Sequence, residues 1–111
     1  MVEDARVFIV DAIDAEAAQI PVVRDAYLND YAPGARERGM VLQYDWLSPP
    51  LALKAGRSRL TFVWAVAGLD GWWGQRFAGN FDPSVEAFWR RLEPMIIGRE
   101  RTFHEASSRH V

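Results

Sequence analysis

The chain has 111 residues, a formal net charge of −2, an apolar share of 50% and no cysteine. This length predicts a single domain spanning residues 1–111, with residues 105–111 as a flexible tail. Without cysteine there are no disulfides and no thiol nucleophile. The balanced charge argues against nucleic-acid binding, and no apolar run reaches the roughly 20 residues of a membrane span. Acidic residues precede the first apolar run, so we expect no signal peptide and a cytoplasmic location.

The predicted strands are four short runs rich in β-branched and aromatic residues, at 6–11, 40–47, 60–66 and 99–105. The first and third runs are apolar at nearly every position, which is typical of strands covered on both faces. In the second run, alternation places Gln43 and Asp45 on one face together with Val41. It places Tyr44 and Trp46 on the other face.

Two helices are predicted between these strands. Asp14 is the expected cap of the first, whose apolar residues recur at helical spacing over 21–31 and which Pro33 should interrupt. The Asp82-Pro83 pair starts the second, because aspartate caps helices and proline suits a first helical turn. The glycine-rich stretch 68–79, between the third strand and this helix, is expected to be bent and partly helical.

The resulting order is β-α-β-β-α-β, the ferredoxin-like arrangement of an α+β protein. We expect one antiparallel sheet with both helices on one of its faces. Strands one and three are apolar on both sides, so the uncovered face would expose a larger apolar patch than soluble monomers tolerate. A second copy packed sheet against sheet removes this exposure. The sequence therefore predicts a homodimer in the form of a dimeric α+β barrel.

Three stretches resemble the dimeric α+β-barrel superfamily: Tyr-Ala-Pro-Gly-Ala-Arg-Glu-Arg-Gly at 31–39, Gly-Trp-Trp-Gly-Gln-Arg at 71–76, and the run 88–103. Within it, the chain is similar to small NIPSNAP-like and antibiotic-biosynthesis-monooxygenase-like proteins. The resemblance implies the same fold and the same dimer. The superfamily includes cofactor-free monooxygenases, polyketide cyclases and heme-degrading enzymes, and a shared fold does not choose among these activities.

The candidate catalytic residues are Asp45 and His104. Asp45 lies in a predicted strand between two aromatic residues, where partial burial would suit a carboxylate to general acid or base catalysis. The alternative is a salt bridge to Arg59 or to another arginine near the sheet edge. Histidines titrate near neutral pH, so His104 is a candidate proton shuttle, or else a half-exposed residue without a role. Neither histidine of the chain has a carboxylate cluster nearby, and we expect no metal and no cofactor.

The candidate substrate-binding residues are mostly aromatic. Gln43 would hydrogen-bond a substrate carbonyl from the same strand face as Asp45. Adjacent tryptophans cannot both face one core, so Trp72 or Trp73 should border a pocket whose mouth the flanking glycines let open and close. The remaining candidates are expected to contact the substrate from the first helix and the strands: Tyr27, Trp46 and Thr61.

Together these residues favour an enzyme that acts on a hydrophobic small molecule in the barrel cavity. A cofactor-independent monooxygenase or cyclase with an aromatic or polyketide-like substrate needs an apolar cavity and one base, which Asp45 or His104 would supply. The alternative is a non-catalytic dimer that binds a small molecule in the same pocket. Heme binding is disfavoured, because neither histidine falls on a helix over the expected cavity.

Overall fold

The computed structural model describes residues 7–108, so residues 1–6 and the end of the predicted tail, 109–111, lie outside the described residues. The strands of the sheet are β1 (Val7–Glu16), β2 (Val41–Ser48), β3 (Arg57–Val66) and β4 (Gly98–Glu105). The helices are α1 (Ile20–Ala26), α2 (Ala32–Glu37), α3 (Gly68–Asn80) and α4 (Pro83–Leu92). A π-helical segment (Tyr27–Tyr31) joins α1 to α2, and short 3-10 turns occur at Ala17–Gln19 and Glu93–Met95.

The strand order is β2-β3-β1-β4, and each neighbouring pair is antiparallel. This confirms the predicted ferredoxin-like sheet with helices on one face. Ile9 and Ile13 of β1 are fully buried under the helices, whereas Phe8 and Val10 lie on the opposite, open face. The molecule is a slab of 40 × 39 × 19 Å in which the sheet forms one outer surface.

The core between the two layers is built largely from aromatic rings. Tyr27 stacks on Phe62 with ring centroids 3.7 Å apart, and Phe88 and Trp89 of α4 meet Tyr27 edge-on at 6.3 and 6.1 Å. Each such pair contributes about 0.5–1.5 kcal/mol beyond the apolar area that it buries. The helix predicted after Asp82 is confirmed, since α4 buries its apolar stripe in this cluster.

β1 is longer than its apolar run predicts. Its ladder with β3 continues to the pair Glu16 and Arg57, so Asp14 lies inside a strand, and the expected helix cap at this position was wrong. The Asp14 carboxylate accepts hydrogen bonds from Nε and Nη2 of Arg59 at 2.8 and 3.0 Å, and these bonds lower the pKa of Asp14. Cross-strand pairing therefore outweighs the local capping signal.

β2 contains a register shift between Leu42 and Tyr44, and this shift overturns the face assignment made from simple alternation. Val41 and Tyr44 pair with residues of the open face, whereas Leu42 and Asp45 pair with residues of the helix-covered face. A β-bulge adds one residue to a strand and so exchanges the two faces beyond it. Asp45 consequently lies on the opposite face from Val41, although the sequence pattern groups them together.

The interruption expected near Pro33 takes the form of a wider helical turn. Proline lacks an N–H donor and crowds the carbonyl one turn earlier, and the backbone before Pro33 adopts the π conformation. The glycine-rich stretch 68–79 is a further difference from expectation. It forms the continuous helix α3 despite its glycines, and it lies against the sheet on the same side as α4.

Candidate functional site

A carboxylate in the middle of β1 anchors a buried hydrogen-bond network. Asp11 is 2% exposed and faces the helices, where it accepts from the Tyr27 hydroxyl at 2.6 Å. It also accepts from Nε and Nη2 of Arg101 at 2.6 and 2.8 Å. Trp64 Nε1 donates to the Tyr27 hydroxyl at 2.7 Å, and Arg101 Nη2 donates to the Tyr31 hydroxyl at 2.6 Å. One carboxylate thereby links three strands of the sheet, β1, β3 and β4, to the π-helical segment.

The electrostatics of this network fix the protonation of its members. Burial, followed by the charge of Asp11, raises the pKa of Tyr27 well above its ordinary value of 10.0, so its hydroxyl is a neutral donor. Burial alone would lower the pKa of Arg101. The hydrogen bonds and charge of Asp11, with a contribution from Tyr31, outweigh that effect and raise it. Arg101 is therefore a permanently charged group held in one position.

Above this network, between the sheet and α3, lies a cavity of about 90 Å³. Its lining combines aromatic rings with polar donors: Tyr31, Arg38, Gln75, Arg76, Gly79, Asn80, Val85, Arg101 and Phe103. The side chain of Arg38 is 8% exposed, and its Nε is buried without a hydrogen-bond partner among residues 7–108. Gln75, which also lines the cavity, is buried. The lining therefore includes one buried donor, Nε of Arg38, that has no acceptor among the described residues.

The charge balance of the cavity is positive. Arg101 pairs closely with Asp11, and Arg38 Nη1 lies 3.5 Å from Oδ2 of Asp82. No carboxylate pairs with Arg76 in the part of the chain that the structure describes, and its guanidinium instead lies over the ring of Phe103 at 5.4 Å. Such a lining suits an oxygen-rich, negatively charged group beside an aromatic ring.

Three predicted site residues, Trp46, Thr61 and His104, share the open face of the sheet. Trp46 and Thr61 are direct cross-strand partners, and Trp46 is half exposed. His104 lies opposite Phe8 on β4, with Nε2 2.7 Å from the Thr102 hydroxyl. The sheet lies between these three residues and the cavity beneath α3, so the structure does not bring them to it.

Asp45 and Gln43 lie on the edge strand β2 and are both exposed. Asp45 Oδ2 accepts from Nη2 of Arg24 at 3.0 Å, so the arginine ion pair is the alternative that the structure shows, with Arg24 in place of Arg59. The Asp45 side chain is 32% exposed, and Arg24 is its ion-pair partner on an edge strand that has a neighbour on one side only. His104, on the open face, is not near this pair.

The predicted aromatic residues lie in three different surroundings. Tyr27 belongs to the core, with its hydroxyl used inside the buried network. Trp72 packs edge-on against Phe103 with ring centroids 5.4 Å apart, and its indole N–H is buried without a partner. Trp73 is 60% exposed. The two adjacent tryptophans thus occupy different surroundings, and Trp72 is close to one wall of the cavity.

Sequence reasoning missed the residues that form the cavity floor. Asp11 carried a usable signal, because a carboxylate beside a continuous apolar strand is stable only when a partner satisfies it. Its partner Arg101 is 90 positions away. Arg38 directly follows α2 and Gln75 lies in the glycine-rich stretch 68–79, and neither position carried such a signal.

Two further features bear on the kind of site. In the described range 7–108, no group of three or more histidines, aspartates or glutamates is arranged to hold a metal ion. Within the same range, no helix is long and apolar enough to cross a membrane.

Comparison with known proteins was informative at the level of structure. Neither a protein-family model nor a curated protein matches the chain. An uncharacterized NIPSNAP domain protein from Burkholderia xenovorans is 18% identical, with 95% of this chain and 98% of that chain covered and a TM-score of 0.72. The chain shares its fold. This finding confirms the predicted resemblance to NIPSNAP-like proteins.

Two other solved structures extend the likeness. A provisionally assigned antibiotic biosynthesis monooxygenase from Nitrosomonas europaea is 7% identical, with 96% of each chain covered and a TM-score of 0.64. A dimeric ferredoxin-like protein from an uncultured marine organism is 8% identical, with 100% of this chain and 96% of that chain covered, also at 0.64. At these identities the likeness shows the fold alone.

Proposed function

We propose that this protein is a cofactor-independent enzyme of the monooxygenase or cyclase type, acting on an aromatic or polyketide-like substrate in the cavity beneath α3. The observation that carries the proposal is the chain of contacts from Asp11 through Arg101 to Tyr31. The Tyr31 hydroxyl accepts from Arg101, so its own hydrogen is available for donation, and Tyr31 lines the cavity. A hydroxyl backed by a fixed cation is a strong donor toward an oxyanion.

Both reactions need a stabilised oxyanion. Loss of a proton to solvent from a phenol or a β-dicarbonyl compound places negative charge on oxygen and makes the adjacent carbon electron-rich. In an oxygenation that carbon adds molecular oxygen to give a hydroperoxide, which loses water and leaves a carbonyl. In a cyclisation it adds to a carbonyl of the same molecule, and the product then loses water. Donors positioned where this charge develops lower the barrier, and removing one typically costs about 100- to 1,000-fold in turnover.

Substrate entry requires α3 to move. A cavity of about 90 Å³ is smaller than the roughly 300–1,000 Å³ of typical ligand sites. Gln75 is the single residue of α3 that is fully buried, and the helix begins at Gly68, whose φ of 63° is open to glycine in particular. Few apolar contacts hold α3 down, so its displacement is the inexpensive way to enlarge the site.

The open face of the sheet is proposed to pack against a second copy of the chain. Tyr44 and Trp46 stack there with ring centroids 5.4 Å apart, and each remains more than half exposed. A slab 19 Å thick leaves the whole of this face uncovered. One protein of the same fold is described as dimeric, which supports the second copy as the occupant.

Light scattering tests the dimer. We expect a dimer at micromolar concentration and a monomer for Trp46→Glu, because a charge in an apolar interface is poorly solvated. Val22→Glu is the matched control, since Val22 is about as exposed but lies in the helical layer. A monomeric wild-type protein, or a dimer that Trp46→Glu leaves intact, would contradict this interface.

Turnover is tested with purified protein, air-saturated buffer, polyhydroxylated naphthalenes and linear poly-β-ketoacyl thioesters. Product mass distinguishes gain of oxygen from loss of water, and an oxygen electrode follows the first. Tyr31→Phe is expected to lower turnover about 100-fold, and Tyr44→Phe on the open face is the matched control. Unchanged turnover in Tyr31→Phe would overturn the site. Binding without turnover would favour the non-catalytic small-molecule-binding dimer.

The same assay distinguishes the site beneath α3 from the alternative in which His104 acts as the base on the open face. His104→Gln is expected to leave turnover unchanged, because the sheet separates His104 from the cavity beneath α3. A large loss in this variant, with Tyr31→Phe unaffected, would transfer the site to the space between the two sheets.

A further inference from the structure

The side chain of Arg38 is a buried cation without a complete set of acceptors. Only Nη1 approaches a carboxylate, at 3.5 Å from Asp82, and that carboxylate already accepts from the backbone N–H and hydroxyl of Ser84. Nε has no partner among the described residues. A buried charged donor left unpaired is costly, so this position calls for an acceptor from outside the chain.

Glycines shape the space around this guanidinium. A Cβ at Gly34 would lie 3.2 Å from Nη1 of Arg38, closer than side-chain contacts normally allow. A Cβ at Gly79 would lie 3.6 Å from Nε, which is an ordinary contact distance. Neither glycine places a side chain against the guanidinium. Because Nε is itself buried, a ligand acceptor reaches it when α3, which carries Gly79, moves away from the sheet.

A second polar group lies in the lining of the same cavity. Gln75 is 4% exposed and is the buried residue of α3, and it lines the cavity together with Arg38. An amide N–H₂ adds two donors to those of Arg38. No aspartate or glutamate is among the residues of the lining. The lining therefore contains cationic donors but no carboxylate of its own.

From this geometry we infer that the cavity binds the carboxylate of an aromatic or polyketide acid, with Arg38 and Gln75 as the recognition groups. The inference rests on the proposed function for the identity of the ring system. Arg101 pairs closely with Asp11 at 2.6 Å, whereas Arg38 contacts Asp82 only at 3.5 Å, so Arg38 is the more weakly paired of these two cations, which matches a monoanion. About 90 Å³ holds a carboxylate and one or two waters, at about 30 Å³ each. The aromatic ring of the bound acid then lies toward Phe103.

Isothermal titration calorimetry with a matched pair of probes tests this subsite. We expect 2-naphthoate to bind at least about 10-fold more tightly than 2-naphthamide, and added salt to weaken the naphthoate alone. Arg38→Gln should abolish the preference, and Gln75→Leu should reduce it. Arg90→Gln is the matched control, because Arg90 is an exposed arginine on the outside of α4 and pairs with Glu86. Circular dichroism checks that each variant is folded.

Equal affinity for the two probes, or a preference that persists in Gln75→Leu and Arg38→Gln, would overturn the carboxylate subsite. Displacement of naphthoate by inorganic phosphate more readily than by acetate would assign the site to phosphate and overturn it too. The outcome is separable from that of the proposed enzyme. A carboxylate preference combined with unaffected turnover in Tyr31→Phe leaves the subsite standing and refutes the proposed function.

Discussion

α3 and α4 follow one another in the chain and lie on the same face of the sheet, but they bury different kinds of side chain against it. α4 buries Phe88 and Trp89 in the core and directs its arginines outward. α3 buries Gln75 and leaves Trp73 and Phe77 exposed, at 60% and 68% of their surface. The side of α3 that faces the protein thus combines the buried Gln75 with the partly buried Trp72, and it carries no fully buried apolar residue.

This contrast separates a structural helix from a movable one. Burial of large apolar side chains stabilises α4, and Asp82 caps it by accepting from the Ser84 N–H. α3 has no side-chain cap and little apolar burial. It encloses a cavity in which Nε of Arg38 lacks a partner among the described residues, so the same features that make it weakly held also suit it to cover a ligand.

The prediction with the largest expected effect tests the difference between α3 and α4 directly. Phe88→Ala removes a ring that packs against Tyr27, Tyr31 and Trp89, and we expect a loss of about 3–5 kcal/mol in the free energy of unfolding. Phe77→Ala removes the same ring from α3 and should change stability by less than about 0.5 kcal/mol. Urea denaturation measures both. Similar losses in the two variants would show that α3 packs like α4.

A smaller loss of stability is expected from the buried hydrogen-bond network around Asp11, which lies beneath the two helices. Tyr27→Phe removes the donor to Asp11 and the acceptor of Trp64 Nε1, and it should cost about 1–3 kcal/mol, because two buried polar groups lose a partner. Urea denaturation again provides the measurement, with Tyr44→Phe on the open face as control. A neutral Tyr27→Phe would mean that water replaces the hydroxyl.

The capping difference predicts a pH dependence. Hydrogen bonds from Ser84, with help from the charge of Arg38, lower the pKa of Asp82 below its ordinary value of 3.8. The folded state therefore favours the charged form, so the stabilisation is present above 3.8 and is lost as the pH falls through the lowered pKa. We expect Asp82→Ala to be less stable than wild type at neutral pH.

At a pH well below 3.8 the melting temperatures of Asp82→Ala and wild type should converge. Asp70→Ala is the control, because Asp70 lies in the first turn of α3, which has no side-chain cap. A difference between Asp82→Ala and wild type that persists in acid would assign the effect to something other than the carboxylate charge.

The smallest expected effect concerns the tryptophans of α3. Trp73→Phe should change stability by less than about 0.5 kcal/mol, because the side chain is exposed. Ligand-induced displacement of α3 should nevertheless alter tryptophan fluorescence, with the change carried mainly by Trp72 against Phe103. Titration of Trp72→Phe and Trp73→Phe with 2-naphthoate measures this. A response that both variants retain in full would place the ligand away from α3.

Local patterns predicted most of the fold but little of the candidate site. The strands, the helix after Asp82 and the apolar second face of the sheet follow from residue type and spacing within short windows. The β2 bulge reverses the face of Asp45, and alternation contains no information about an inserted residue. The glycines of the stretch 68–79 likewise do not indicate that it forms a helix, or that this helix buries Gln75.

The sequence by itself determined the ferredoxin-like order, because each element is specified by contacts among residues close in the chain. Tertiary structure decided the site. Asp11 and Arg101 meet through the register of β1 against β4, and Arg38 reaches the cavity through the packing of α2 and α3. Such contacts depend on the register of strands that are distant in the chain and on the desolvation of charges. A short stretch of sequence determines neither of these.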